Sequence, residues 1–147
     1  MTKNKDKITI LKADTDEKIL ATCAIMHELR PNLIEADYLI TVRRMMQTDN
    51  YHLASLYVGE TVRAVAGYRF MEMLYCGKIL YVDDLNTDER YRSKGYGKVL
   101  MTWLKAEAKA AGCGQLHLDS GVQREAAHRF YFRERLAINC YHFRIML

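Results

Sequence analysis

The run Leu85-Asn86-Thr87-Asp88-Glu89-Arg90-Tyr91-Arg92-Ser93-Lys94-Gly95-Tyr96-Gly97-Lys98 joins a β-rich stretch to a leucine-bearing helix. Upstream, Lys78 to Thr87 reads as a strand, with Ile79, Tyr81 and Val82 as its β-formers. Downstream, Gly97 to Ala111 reads as a helix. Its apolar stripe is Val99, Leu100, Trp103, Leu104 and Ala108, and Gly112 is its C-cap. Gly95 and Gly97, at alternate positions, let the backbone bend closely around a ligand. The first free N–H groups of the helix point into that bend, and with the helix dipole they make an anion site. Arg92, Lys94 and Lys98 add positive charge. A pyrophosphate is the guest such a loop fits. A P-loop would need GxxxxGK(S/T), which is absent. A dinucleotide fingerprint would need GxGxxG near the first strand of a βαβ unit, and only Gly95-Tyr96-Gly97 is present. On spacing alone, a glycine-bearing turn with solvated lysines also fits.

The flanking sequence predicts the frame around this loop. Ile8 to Leu11 reads as a first strand, and Asp14-Thr15-Asp16-Glu17 offers N-cap chemistry. Glu17 to Leu29 reads as a helix ended by Pro31, and Glu35 to Gln47 as a second. Tyr51 to Val58, the turn Gly59-Glu60 and Val62 to Met73 predict a hairpin. After the glycine-loop helix come a strand over Gln115 to Asp119, a helix over Arg124 to Arg135 and a closing strand over Ile138 to Ile145. The order β, α, α, β, β, β, α, β, α, β predicts an α/β fold with one central mixed, mostly antiparallel sheet flanked by helices.

With 147 residues the chain has room for one domain, 1–147, and a proper core. No apolar run reaches the ~18 residues of a membrane-spanning helix. Met1-Thr2-Lys3-Asn4-Lys5-Asp6-Lys7 is basic, but the apolar stretch behind it is too short for a signal peptide, so the expected location is cytoplasmic. A net charge of +4 is mild, and its basic residues are scattered, which argues against nucleic acid as partner. Cys23, Cys76, Cys113 and Cys140 form no CxxC, so no zinc site or other metal is expected. They read as reduced and mostly packed.

Arg92-Ser93-Lys94-Gly95-Tyr96-Gly97 fits the Arg/Gln-x-x-Gly-x-Gly/Ala motif, and in this context the chain resembles the GNAT superfamily of acetyl-CoA-dependent N-acetyltransferases. The resemblance spans nearly the whole chain, most clearly Lys78 to Leu136. It implies the GNAT-like acyl-CoA N-acyltransferase fold and acetyl-CoA as donor. It implies that backbone N–H groups from Arg92 through Ser93, Lys94, Gly95, Tyr96 and Gly97 to Lys98 hold the pyrophosphate. The strand end at Leu85, Asn86 and Thr87 would lie along the pantetheine arm. Tyr131 matches the tyrosine that protonates the leaving thiolate. Arg124, Arg135-Leu136 and Glu89 depart from the residues common in relatives.

Attack of an amine on a thioester needs a proton acceptor, a proton donor for the thiolate and a donor to the oxyanion. Asp83 and Asp84 are the candidates for binding or deprotonating the amine, with Asp83 preferred. Strand alternation sends their side chains to opposite faces. His128 shares a helical face with Tyr131 but reads better as a packed or surface histidine, and His27, His117 and His142 no better. Met45-Met46 and Met71-Glu72-Met73 read as adaptable core. Glu28, Glu35, Asp83 and Asp84 would suit a cationic primary amine, on a small molecule or a peptide. Tyr141, Phe143 and Ile145 could cover a sheet edge in a homodimer. The alternative reading is a regulatory module that binds acyl-CoA without turnover.

Overall fold

Gly59 takes φ +62, as the tight turn requires, and joins the two strands at the middle of the sheet. They are β2 (Tyr51–Val58) and β3 (Thr61–Met73). The computed structural model describes residues 7–147, so the basic run before Lys7 lies outside the described residues. One five-stranded sheet runs β1-β2-β3-β4-β5, where β1 is Ile8–Lys12, β4 is Gly77–Thr87 and β5 is Gln115–Leu118. The pairings from β1 to β4 are all antiparallel. Helices are α1 (Asp16–Leu20), α2 (Cys23–Leu29), α3 (Glu35–Thr48), α4 (Tyr96–Ala110) and α5 (Glu125–Arg133). This is the expected α/β fold, a mostly antiparallel sheet flanked by helices.

The chain divides into two compact units, one ending at His117 and one beginning at Leu118. In the first, helices cover both faces of the sheet. α2 packs on β3 and β4, α3 on β2, and α1 on α3. Ile19, Ile25, Met26, Val42, Leu53 and Val65 form the core on that side. α4 packs on β3 and β4 from the other side through Leu100, Met101, Leu104 and Ala108. Val99, expected in that stripe, is exposed instead. Neighbours on β3 show the two faces. The Tyr68 ring meets Trp103 of α4 at 6.0 Å, while Arg69 meets Asp83.

Tyr68 is fully buried and its hydroxyl has no hydrogen-bond partner among the described residues. Burial pushes that hydroxyl's pKa well up, which keeps it neutral. An unmatched buried hydroxyl costs roughly 1–3 kcal/mol. Tyr68→Phe is therefore expected to fold with an unchanged or higher melting temperature. A fall of more than a few degrees in a thermal melt would contradict this.

Two expected elements differ. The single helix over Glu17 to Leu29 is broken into α1 and α2 at Ala21-Thr22. Buried Thr22 is the cause. Its hydroxyl donates to the Ile19 carbonyl at 2.6 Å and pairs with the Tyr38 hydroxyl at 2.7 Å, and its N–H also turns to Ile19. A threonine bonding back to the preceding turn tightens the helix there. In the second unit, the closing strand over Ile138 to Ile145 does not form. Residues 135–147 carry no helix or strand, and Tyr141, Phe143 and Ile145 are exposed. β-propensity alone does not make a strand, because the ladder needs a partner backbone. α5 closes as a Schellman turn with Arg135 at φ +66, where a glycine would be at ease.

Candidate active site

The register of β3 against β4 slips between Gly67 and Tyr68. Gly67 faces Asp84, but Tyr68 faces Val82. Asp83 is thus the extra residue of a β-bulge, which bends the strand and re-aims its side chains. Strict alternation would have parted Asp83 and Asp84. The bulge corrects that expectation, and both line one cavity of about 360 Å³. That volume is at the small end for a ligand pocket. Met26, Leu33, Val42 and Met45 give the cavity an apolar wall, so part of the methionine set expected in the core faces the cavity. Tyr38, Tyr51 and Tyr81 give it aromatic edges.

Each carboxylate meets an arginine. Arg69 Nε and Nη2 hold Asp83 Oδ2 at 2.9 and 2.7 Å. Arg30 Nε donates to Asp84 Oδ1 at 3.0 Å, and its Nη2 donates to the Asp83 carbonyl at 2.9 Å. Pro31 stops α2, so Arg30 sits at the helix end and can reach β4. The Tyr51 hydroxyl donates to Asp84 Oδ2 at 2.9 Å. Tyr51 is buried, and burial first, then the Asp84 charge, push its pKa well above the ordinary tyrosine range. Tyr38 is pushed up to about 12, chiefly by burial. Both stay neutral hydrogen-bonding groups at physiological pH. Gly67 makes room for this set. A Cβ there would lie 1.9 Å from the Tyr51 hydroxyl oxygen and 2.8 Å from Asp84 Oδ2.

The glycine loop leads into α4, which begins at Tyr96, one residue before the expected Gly97. Gly95 caps α4 in the left-handed region (φ +80), and Ser93 is at φ +65. The N-cap Gly95 has no side chain to offer the first N–H groups of α4. Arg92, Ser93, Lys94, Gly95 and Lys98 are exposed, while Tyr96 and Gly97 are half-buried. The residues fit an anion: alternating backbone conformations ahead of a helix make a concave nest of N–H groups. Asp88 anchors the loop's entry. It is buried and accepts from Arg90 N, Nε and Nη2 at 3.1, 3.1 and 2.8 Å, with Arg63 Nη1 at 3.5 Å. The Arg90 hydrogen bonds hold its carboxyl below the ordinary range. Arg63 in turn lies on the Tyr91 ring, 3.6 Å from its centroid.

Asn86 is buried, and its Nδ2 donates to the Ile25 carbonyl at 3.0 Å and to Glu28 at 3.3 Å. Glu28 also receives Glu89 N. Glu28 thus ties α2 to the strand end and does not line the cavity, and neither does Glu35. Among the described residues no histidine lines it. His117 pairs with Gln115, and in the second unit His128 bonds the Gly121 carbonyl and His142 bonds Asp119. Tyr131 sits on α5 with its ring 5.5 Å from Phe130. Of the four free cysteines only Cys23 is buried, where desolvation raises its pKa, the opposite of an activated thiol. Sequence reasoning missed Tyr51, Arg69, Arg63 and Asp88. Only Asp88 left a local signal, a capping residue two before an arginine.

Residues 19–136 match the acetyltransferase (GNAT) family. The chain belongs to that family. It is 40% identical over 107 residues to the uncharacterized N-acetyltransferase YhdJ of Bacillus subtilis (strain 168), covering 73% of this chain and 75% of that one. It is 26% identical to the aminoalkylphosphonate N-acetyltransferase of Salmonella typhimurium, covering 84% and 82%. Among solved structures, the aminoglycoside N-acetyltransferase AAC(6')-Iy in complex with CoA superimposes with a TM-score of 0.85 at 10% identity, over 100% and 99% of the two chains. That last likeness is one of fold.

Proposed function

We propose that this GNAT protein is an acetyl-CoA-dependent N-acetyltransferase that moves acetyl to the primary amine of a small molecule, by direct transfer in a ternary complex. The observation that carries it is the small cavity on the bulged strand, with two carboxylates beside the strand end that feeds the glycine loop. The family match runs across the boundary at His117, which supports one acetyltransferase domain over 1–147.

Acetyl-CoA supplies the activated acetyl group as a thioester. Backbone N–H groups from Arg92 to Lys98 hold the pyrophosphate, with Lys94 and Lys98 adding charge. The backbone of Leu85, Asn86 and Thr87 lies along the pantetheine arm, since the Asn86 side chain is engaged by α2. Asp84, with Asp83 beside it, takes the amine's proton, directly or through water, as the new C–N bond forms and the C–S bond breaks. Tyr131 gives its proton to the leaving thiolate. The exposed Tyr141, Phe143 and Ile145 support a homodimer, and a cytoplasmic setting suits the free cysteines.

A thermal melt tests the donor. Acetyl-CoA at ~100 times its dissociation constant should add about 2.7 kcal/mol, several degrees at this chain length, where ATP and NAD add nothing. Thiol release with an amine panel then tests turnover. Tyr131→Phe should lower kcat about 10–100-fold while the acetyl-CoA-induced shift persists. Loss of the shift with no loss of kcat would remove Tyr131 as the acid. A shift without any thiol release would favour the acyl-CoA-binding module.

A further inference from the structure

We infer that the acceptor is a compact amine that carries its own acidic group, an aminoalkyl acid. This rests on the acetyltransferase reading and names its substrate class. Among the described residues, the cavity's ionisable residues other than tyrosine are Arg30, Asp83 and Asp84, and Asp83 is already held by Arg69. Arg69 lies outside the lining but pairs with Asp83, so the four groups together balance two positive charges against two negative ones. The pocket therefore has no surplus acid for a polycation.

The Arg30–Asp84 pair is the part a ligand can exchange. Its arginine is half-exposed (47%) while the carboxylate is sheltered (13%). An ammonium arriving at Asp84 competes with Arg30 and leaves that guanidinium without its carboxylate. An acidic group on the same molecule takes that place, so both protein charges stay matched. The guanidinium fork suits either a carboxylate or a phosphonate. Asp84 keeps its Tyr51 hydrogen bond throughout, which holds the carboxylate toward the amine. The apolar wall of Met26, Leu33, Val42 and Met45 takes the alkyl body, and the cavity's 360 Å³ matches a compact one. A diamine or an aminoglycoside brings several ammonium groups to a site where one carboxylate is exchangeable.

The test is a matched panel: 4-aminobutanoate, 3-aminopropylphosphonate, butylamine, putrescine and kanamycin. Calorimetry with CoA present reads acceptor binding apart from turnover, and thiol release with acetyl-CoA reads kcat/KM. At least one of the two acids is expected to bind and to exceed butylamine at least 10-fold in kcat/KM, through KM. The phosphonate-to-carboxylate ratio then says which acid the site prefers. In Arg30→Gln the acid-over-butylamine ratio is expected to collapse toward one, with partial recovery in Arg30→Lys. Equal or better use of butylamine, putrescine or kanamycin overturns the inference. So does the absence of heat from both acids while acetyl-CoA still stabilises the fold. Failure of acetyl-CoA to raise the melting temperature instead sinks the acetyltransferase reading beneath it.

Discussion

Gly67→Ala is expected to lower the melting temperature by about 3–8 °C and the transfer rate about 10–100-fold. The added methyl falls 1.9 Å from the Tyr51 hydroxyl oxygen and 2.6 Å from its Cζ. Tyr51 is a rigid ring, 4% exposed, and the clash falls on the hydroxyl that holds Asp84. Either the ring moves and gives up Asp84, or β3 separates from β4 at the bulge. Overpacking of this kind costs roughly 1–3 kcal/mol, and a lost hydrogen bond to a sheltered carboxylate adds to it. Tyr51→Phe isolates the hydrogen bond and should cost less in stability than Gly67→Ala. Melts and steady-state rates on the two variants check the order. A Gly67→Ala protein with wild-type stability and rate would mean that Tyr51 and Asp84 do not act together.

Asp88→Ala is expected to cost about 1–3 kcal/mol and to raise KM for acetyl-CoA about 10-fold, with a smaller change in kcat. Removing one partner of a buried ion pair can cost roughly 3–5 kcal/mol. Here Arg90 is largely exposed and Arg63 stacks on Tyr91, so part of that loss is recovered in solvent and ring contact. The geometric effect is local. Asp88 fixes Arg90 and the single turn Glu89–Tyr91 that leads into the glycine loop. The sign with pH follows from its lowered pKa. Its contribution is full above the unfolded carboxyl's ~3.9 and fades as pH falls through the lower native value. Acid melts should therefore show wild-type and Asp88→Ala converging at low pH. An unchanged KM for acetyl-CoA in a folded Asp88→Ala protein would show that the loop keeps its shape without this anchor.

Features written in neighbouring residues were legible in the sequence. The Gly59-Glu60 hairpin, α3, α4 and the glycine loop all depend on turn chemistry or periodicity within one short window. The loop motif also carried the family, and residues 19–136 bear it out. Asp83 and Asp84 stood out as adjacent carboxylates near a strand end, and both do line the cavity.

The way they come together was decided only in three dimensions. Alternation assumes an unbroken ladder, and the slip opposite Gly67 is a property of two paired strands. Arg30 reaches Asp84 across 54 positions, and Tyr51 does so across 33. Periodicity carries no information at such separations. The break at Thr22 likewise needs Tyr38 from another helix, 16 positions on. The C-terminal run had the composition of a strand, but composition supplies side chains and not a second backbone. Short-range stereochemistry thus determined the hairpin, α3, α4 and the loop, while long-range pairing determined where α1 ends, whether the last strand forms, which charges face the cavity and which partners hold them.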